Sequence, residues 1–151
     1  MGPSVSFLGH ASTLIEIDGV RVLTDPLLRS RITFLRRVVP AAPEEMSQNI
    51  DVVLISHLHH DHCDLESLAM LPDAIIIAPQ GAGGYLRTRG KLSNVIELIE
   101  GESTQVRGLI FTAVHADHDG LRPPLGPRAI ALGYVVSGND GTVYFAGDTD
   151  V

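Results

Sequence analysis

The run Val52-Val53-Leu54-Ile55 leads directly into Ser56-His57-Leu58-His59-His60-Asp61-His62, and this junction constrains the fold more than any other stretch of the chain. Four consecutive apolar residues fit a strand buried on both faces, as in the middle of a parallel sheet. Four histidines and one aspartate then fall within six residues, where the strand gives way to a loop. Sites of open sheets gather at such carboxyl ends. In a locally extended segment residues two apart point the same way, so His57 and His59 can both offer imidazole nitrogens to one cation. Asp61 and His62 lie past the bend, where they can face a second cation roughly 3.5–4 Å from the first, with one water between them. Asp61 is therefore a candidate for catalysis as well as for metal ligation. The competing reading is a polar, solvated loop. His60 alternates away from His57 and His59 and is assigned to packing or hydrogen bonding.

The 151 residues, 44% of them hydrophobic, suffice for one domain with a real core and are too few to expect two. Five per cent aromatic content, no Trp and 15 Gly point to a core of Val, Ile, Leu and Ala with many tight turns. A formal charge of -7 excludes broad binding to nucleic acid or anionic membranes, which needs a basic surface. One cysteine, Cys63, allows no intrachain disulfide and fits a reducing compartment, with the cytoplasm as the expected location. Its position beside His62 admits a soft metal ligand, but an inert buried thiol is the preferred reading. The first thirty residues hold no apolar core of signal-peptide length, and no stretch is long enough to span a bilayer.

Residues 5–8, 13–17 and 20–23 read as strands, the last two joined by the hairpin signal Asp18-Gly19. Residues 29–40 are irregular and basic, and Pro43-Glu44-Glu45 can start a short helix. Asp64 can cap a helix through Leu65, Leu68 and Leu71 that ends at Pro72, followed by a buried strand over 74–78. Residues 81–89 can be helical despite their glycines, while 95–99 and 106–114 read as strands about Gly101. Strands over 129–136 and 142–146 flank the turn Gly138-Asn139-Asp140-Gly141. This mixture gives layers of helix over sheet.

His57-x-His59-x-Asp61-His62 resembles the H-x-H-x-D-H motif of the metallo-β-lactamase-fold hydrolases. Gly9-His10-Ala11-Ser12 with the strand that follows, and Leu23-Thr24-Asp25-Pro26, resemble the opening of the branch containing L-ascorbate-6-phosphate lactonases and N-acyl-phosphatidylethanolamine phospholipase D. Tyr144-Phe145-Ala146-Gly147-Asp148-Thr149 matches that family's strand ending in Gly-Asp-Thr. The resemblance covers nearly the whole chain and implies an α+β fold, the four-layer αββα sandwich. It also implies a continuation past Gly-Asp-Thr, with a further histidine for the second metal, whereas no histidine follows His118 here. On this reading residues 1–151 are the N-terminal part of the fold, incomplete at the C-terminus, with the first sheet lacking its partner sheet. A fragment, one part of a split enzyme and a half that pairs with a second copy are expected in that order.

A third histidine should complete the first metal's set, and His115 and His118 both offer it. The branch reads roughly Val-Pro-Ala-x-His at the corresponding strand end, which favours His118 over His115. The resemblance further implies that Asp148 bridges the two cations, against the alternative of a turn-capping aspartate. It places His10 at the mouth of the site as a proton donor or substrate contact, with a purely structural histidine as the other reading. Asp25 is assigned to the turn before Pro26 or to orienting a ligand histidine. Arg29, Arg31, Arg36 and Arg37, interleaved with Ile32, Phe34, Leu35, Val38 and Val39, can form a lid for anionic or amphipathic substrates, against a solvated loop. Arg122 can steer a phosphate or carboxylate.

The function these residues imply is metal-dependent hydrolysis of a small-molecule ester or phosphoester. A lactone or other ester is the first choice, a phosphodiester the second, and a non-catalytic metal-binding or assembly fragment the alternative. Histidine and carboxylate ligands suit Zn2+, one or two ions, with Mn2+ or Fe2+ left open by the oxygen donors.

Overall fold

The computed structural model describes residues 1–150 except Thr33 and Val39, and of Leu35 the backbone alone. Val39 of the basic segment thus lies outside the described residues. The chain opens with strands β1 (Ser4–Gly9), β2 (Ser12–Ile17) and β3 (Val20–Thr24), then the short β4 (Arg31–Ile32) and β5 (Leu35–Arg36) and a 3-10 turn at Glu44–Ser47. Next come β6 (Val52–Leu54), α1 (Leu65–Ala69), β7 (Ile75–Pro79), α2 (Gly83–Thr88) and β8 (Val95–Leu98). The remaining strands are β9 (Ser103–Val106), β10 (Leu109–His115), β11 (Leu132–Gly138) and β12 (Gly141–Phe145).

The first sheet runs β1-β2-β3-β6-β7-β8, antiparallel across its first three strands and parallel from β3 to β8. Its central strand β6 is buried on both faces, as the unbroken apolar run requires. Val53 and Ile55 point into a core with Leu14, Leu23, Ile76, Leu68 of α1 and Leu86 of α2, so both helices cover one face. Val52 and Leu54 point the other way, into a core shared with Phe111, Ala113, Leu132, Tyr134 and Val136 of the second sheet. That second sheet runs β12-β11-β10-β9 and is antiparallel throughout.

The expectation that the first sheet lacks a partner sheet is therefore corrected. Residues 103–145 supply one: Leu109, Phe111 and Ala113 of β10 and Leu132, Tyr134 and Val136 of β11 lie at every second position and face the first sheet. Among the described residues no helix covers the outer face of the second sheet, where Ile110 and Tyr144 are exposed. Helix, sheet and sheet, three layers of the αββα order, are thus formed by the described residues.

Two strand boundaries also differ from the sequence reading. The strand expected over 106–114 is broken at Arg107-Gly108, both with positive φ, so the chain reverses in a tight hairpin and β9 pairs with β10. Arg is an unusual residue for that conformation, and the apolar pattern ran through it. The strand expected from 129 begins only at Leu132. Residues before it pair instead with the loop at Gly120, where Ala129 N–H donates to the Gly120 carbonyl at 3.1 Å.

The two sheets are tied together at the carboxyl edge of β6. The Tyr134 hydroxyl, fully buried, donates to the Ile55 carbonyl at 2.8 Å, and Leu132 N–H donates to the Ser56 carbonyl at 2.9 Å. No helix among the described residues is long and apolar enough to cross a membrane. Tyr134→Phe strips the Ile55 carbonyl of its buried donor. It is expected to lower the unfolding free energy by about 1–3 kcal/mol in chemical denaturation, without loss of secondary structure by circular dichroism.

Candidate metal centre

Every polar side chain of the centre emerges from the same edge of the two sheets. Asp25 follows β3, Ser56 and His57 follow β6, and His10 sits in the turn between β1 and β2. His118 follows β10 and Asp148 follows β12 of the second sheet. The backbone is bent to bring them in. His10 and Asp25 both hold positive φ, which a bulky residue rarely adopts, and Asp tolerates better than most.

Asp25 organises the interior of the site. Its carboxylate is fully buried and accepts from Ser56 N–H at 2.8 Å, from the Ser56 hydroxyl at 2.5 Å and from His62 Nδ1 at 2.7 Å. The Ser56 hydroxyl lies 2.8 Å from His57 Nδ1. Its single proton goes to Asp25, so it accepts from His57, which places the His57 proton on Nδ1. Both His57 and His62 then turn a lone-pair-bearing Nε2 toward the middle of the cluster. His57 Nε2 is buried and has no hydrogen-bond partner. Buried polar atoms are seldom left in this state, and an unpaired imidazole nitrogen facing other imidazoles fits a metal ligand.

The donor atoms of His57, His59 and His118 lie within 4.8 Å of one another. The His57 ring centroid stands 4.5 Å from that of His59 and 4.6 Å from that of His118. A second group of three, His10, Asp61 and His62, meets the same criterion, with His10 Nε2 2.7 Å from Asp61 Oδ2. Asp148 Oδ2 lies between the groups, 3.1 Å from His62 Nε2, 3.9 Å from His57 Nε2 and 4.0 Å from His118 Nε2. The structure thus brings together His57, His59, Asp61, His62, His118, Asp148 and His10. Asp25 also falls near His57 and His62. Its two oxygens already accept from three donors, an arrangement that holds Ser56 and His62 in place.

His115 points elsewhere, to Glu100 Oε2 at 3.2 Å on the exposed rim, so of the two candidates His118 is the one in the cluster. His60 is turned outward and bonds the Pro123 carbonyl at 2.8 Å. Cys63 is buried and its thiol is pushed up to about 12 by burial, as an inert packing residue.

The charge state of the cluster follows from burial and neighbours. Desolvation, then the nearby His62, His59 and His118 rings, push His57 down to about 3, so it is neutral at any ordinary pH. His59 is lowered by burial and by His118. His62 goes the other way: burial disfavours its charge, but the Asp25 hydrogen bond and the Asp25, Asp61 and Asp148 charges outweigh that and raise it. Burial works to raise Asp61 too, yet His62 and the His10 hydrogen bond hold it below the usual carboxylate range.

Sequence reasoning had no role for Ser56, Tyr134 or Thr149. Thr149 Oγ1 accepts from Asp117 N–H at 3.0 Å, and Asp150 N–H donates to the Asp117 carbonyl at 2.9 Å, so the tail after β12 braces the loop that carries His118. Only the hydroxyl-bearing residue directly before the first histidine hinted at the Ser56 relay. Gly147 holds φ +63, and a Cβ there would stand 2.7 Å from the Ser56 Cβ, so this approach of Asp148 to the β6 loop admits glycine alone.

Two arginine expectations are corrected. Arg122 Nη1 donates to the Leu58 and Cys63 carbonyls at 2.8 and 2.9 Å, with its guanidinium over the Tyr85 ring. It closes the loop between β6 and α1 instead of facing a substrate, because those loop carbonyls have no strand partner to satisfy them. Arg29 is held by Asp64 and Glu66, and Arg37 by the Leu8 and Leu27 carbonyls, so neither is a free cation of a lid.

Beside the second group lies a cavity of about 340 Å³ whose walls include His10, Asp61, Leu27, Ile32, Arg31 and Arg36. A larger one, about 620 Å³, is lined by Leu28, Ile50 and Leu71 among others and contains none of the histidines.

A two-sheet sandwich with a histidine and aspartate cluster at its carboxyl edge defines a class, and comparison with known proteins agrees. Residues 20–151 match the β-lactamase superfamily domain, and the chain belongs to that family. It is similar to a UPF0173 metal-dependent hydrolase of Methanopyrus kandleri, 35% identical over 96% of this chain and 61% of that protein. It is 28% identical to an N-acyl-phosphatidylethanolamine-hydrolyzing phospholipase D of Caenorhabditis elegans, over 98% of this chain and 47% of the relative. The crystal structure of a possible metal-dependent hydrolase from Veillonella parvula superposes with a TM-score of 0.79 at 22% identity, covering 100% of this chain and 64% of that one. The chain therefore spans about half to two thirds of the length of these proteins.

Asp25→Asn keeps the shape but exchanges an acceptor for a donor facing Ser56 and His62. Zinc affinity is expected to fall about 10–100-fold in chelator competition, with the fold retained. A pH effect follows from His57. In metal-free protein its folded value of about 3 lies below the ordinary 6.5, so the unfolded chain takes up a proton that the folded one refuses. That contribution is complete above pH 6.5 and falls away toward pH 3, by up to about 5 kcal/mol. His62, raised, has the opposite sign: its contribution is present below pH 6.5 and is lost as pH climbs through its folded value. His57→Gln should flatten the acid limb of urea-denaturation stability against pH, whatever it does to the plateau.

Proposed function

We propose that this chain carries the centre of a metal-dependent hydrolase acting on a lactone or other ester. The observation that carries the reading is His57 Nε2, buried, without a partner, and fixed as an acceptor by the relay from Asp25 through Ser56. His57, His59 and His118 would hold one cation, Asp61 and His62 would hold another with His10 beside them, and Asp148, which lies between the two groups, would serve both. Zn2+ suits this set, and Mn2+ or Fe2+ fits its oxygen donors. When bound, such ions supply a water of near-neutral pKa and polarise the substrate's carbonyl or phosphoryl oxygen.

The protein's own groups have separate tasks. Asp25 and Ser56 keep the His57 and His62 protons on Nδ1, leaving both Nε2 atoms available. His10 Nε2 lies 2.7 Å from Asp61 Oδ2 beside the cavity, a position from which an imidazole N–H can serve a leaving oxygen. Cleavage of a phosphodiester is the second reading, favoured by the similarity to the nematode phospholipase D.

Elemental analysis of protein purified with each metal should give one or two ions per chain at neutral pH. The ions should leave as pH drops well below 6, because histidine ligates only when neutral. Metal content unchanged at pH 5 would count against histidine ligation. The loaded protein is then offered a panel of lactones and a bis-aryl phosphodiester. Turnover of the lactones supports the first reading and of the phosphodiester the second; bound metal with neither turned over means a metal-binding module.

A further inference from the structure

The basic segment holds four of the chain's 11 Lys and Arg residues within residues 29–37, in a protein of formal charge -7. Two of the four are accounted for: Arg29 pairs with Asp64 and Glu66, and Arg37 caps backbone carbonyls. Arg31 and Arg36 are not. They are both exposed, and neither meets a carboxylate among the described residues. Yet they stand directly opposite each other in the register of β4 and β5. Like charges in a directly opposed cross-strand pair repel, so this hairpin concentrates positive charge at a cost to itself. The same two residues line the cavity of about 340 Å³ that is also lined by His10, Asp61, Leu27 and Ile32.

We infer that Arg31 and Arg36 form an anion subsite, which takes the phosphate or carboxylate of a substrate whose apolar body lies along Leu27 and Ile32 toward His10. A planar guanidinium matches the paired oxygens of either group, and two of them side by side favour a group with several equivalent oxygens. Leu27, Ile32 and Val38 also line the cavity, and these apolar side chains suit an alkyl or aryl segment more than a sugar. An anion held there lies on the cavity that opens onto His10 and Asp61. Ester selection then comes from charge at a distance from the bond that breaks. That the anion belongs to the substrate rests on the hydrolytic reading of the neighbouring centre; that it binds does not.

The test is direct binding to the full chain of octyl phosphate, octanoate and, as the neutral control, octanol, by isothermal titration. Each is run on metal-loaded and chelator-treated protein. Octyl phosphate or octanoate should bind in both states and weaken with added salt, and octanol should bind at least about tenfold more weakly. Arg31→Gln and Arg36→Gln, which remove the charge but keep a polar side chain at exposed positions, should each weaken anion binding about tenfold while leaving metal content unchanged. The relative strength of the two anions tells which oxyanion is preferred. Binding of octanol equal to that of the anions, anion binding only in metal-loaded protein, or affinity unchanged in the Arg31→Gln/Arg36→Gln double variant would overturn the subsite. Absence of hydrolysis alone would count against the catalytic reading and leave the binding result standing.

Discussion

The buried carboxylate of Asp25 is the interaction on which the rest of the centre depends. A charge in that position is costly unless donors surround it, and burial does raise its pKa. Three donors answer it, two from Ser56 and one from His62. Because Ser56 follows β6 and Asp25 follows β3, neighbouring parallel strands are locked at their carboxyl ends by a side chain rather than by ladder bonds alone. The same bonds decide the tautomers of His57 and His62. Stability of the sheet edge and readiness of the ligands thus have one cause.

The second sheet contributes what the first cannot. Parallel strands deliver His57, His59, Asp61 and His62 from a single loop, all from one side of the cluster. His118 and Asp148 come from the ends of β10 and β12, on the opposing sheet. Their placement relies on the contacts between sheets: Tyr134 to Ile55, Leu132 to Ser56, and the close approach of Gly147 to Ser56. Each of these touches residue 55 or 56. Two residues after β6 therefore receive both the Asp25 carboxylate from one sheet and the whole edge of the other.

Local chemistry was legible in the sequence and long-range geometry was not. The apolar run into His57 marked a strand end, Asp18-Gly19 marked a hairpin, and Asp64 marked a helix start, and each became that element. These signals act within a few residues. The hairpin at Arg107-Gly108 was hidden because an arginine with positive φ carries no turn signature. Arg122 looked like a cation for substrate because a sequence cannot show that two unpaired loop carbonyls, some sixty residues earlier, will claim it. His118 was separated from His115 only through a family resemblance, although in space one faces His59 and the other Glu100. The Ser56 relay escaped because its meaning lies in a partner 31 residues away.

Charge balance is the physical reason a cluster of this composition suits cations. Asp25, Asp61 and Asp148 place three carboxylates about His57 and His62, while burial and the crowding of neighbouring rings keep His57 neutral. Burial disfavours a charge on His62, but the Asp25 hydrogen bond and the three carboxylates outweigh it and raise its pKa. His57 cannot offset those charges with a proton, since burial and then the neighbouring rings disfavour one there. What remains is a region rich in lone pairs and in excess negative charge, within a low-dielectric setting that magnifies both. Divalent cations would cancel the charge and engage the lone pairs at once, and would find these donors together only in the folded arrangement in which two sheets meet. Any metal this centre holds therefore stabilises the junction at Ile55 and Ser56, and loosening that junction weakens the metal by the same linkage.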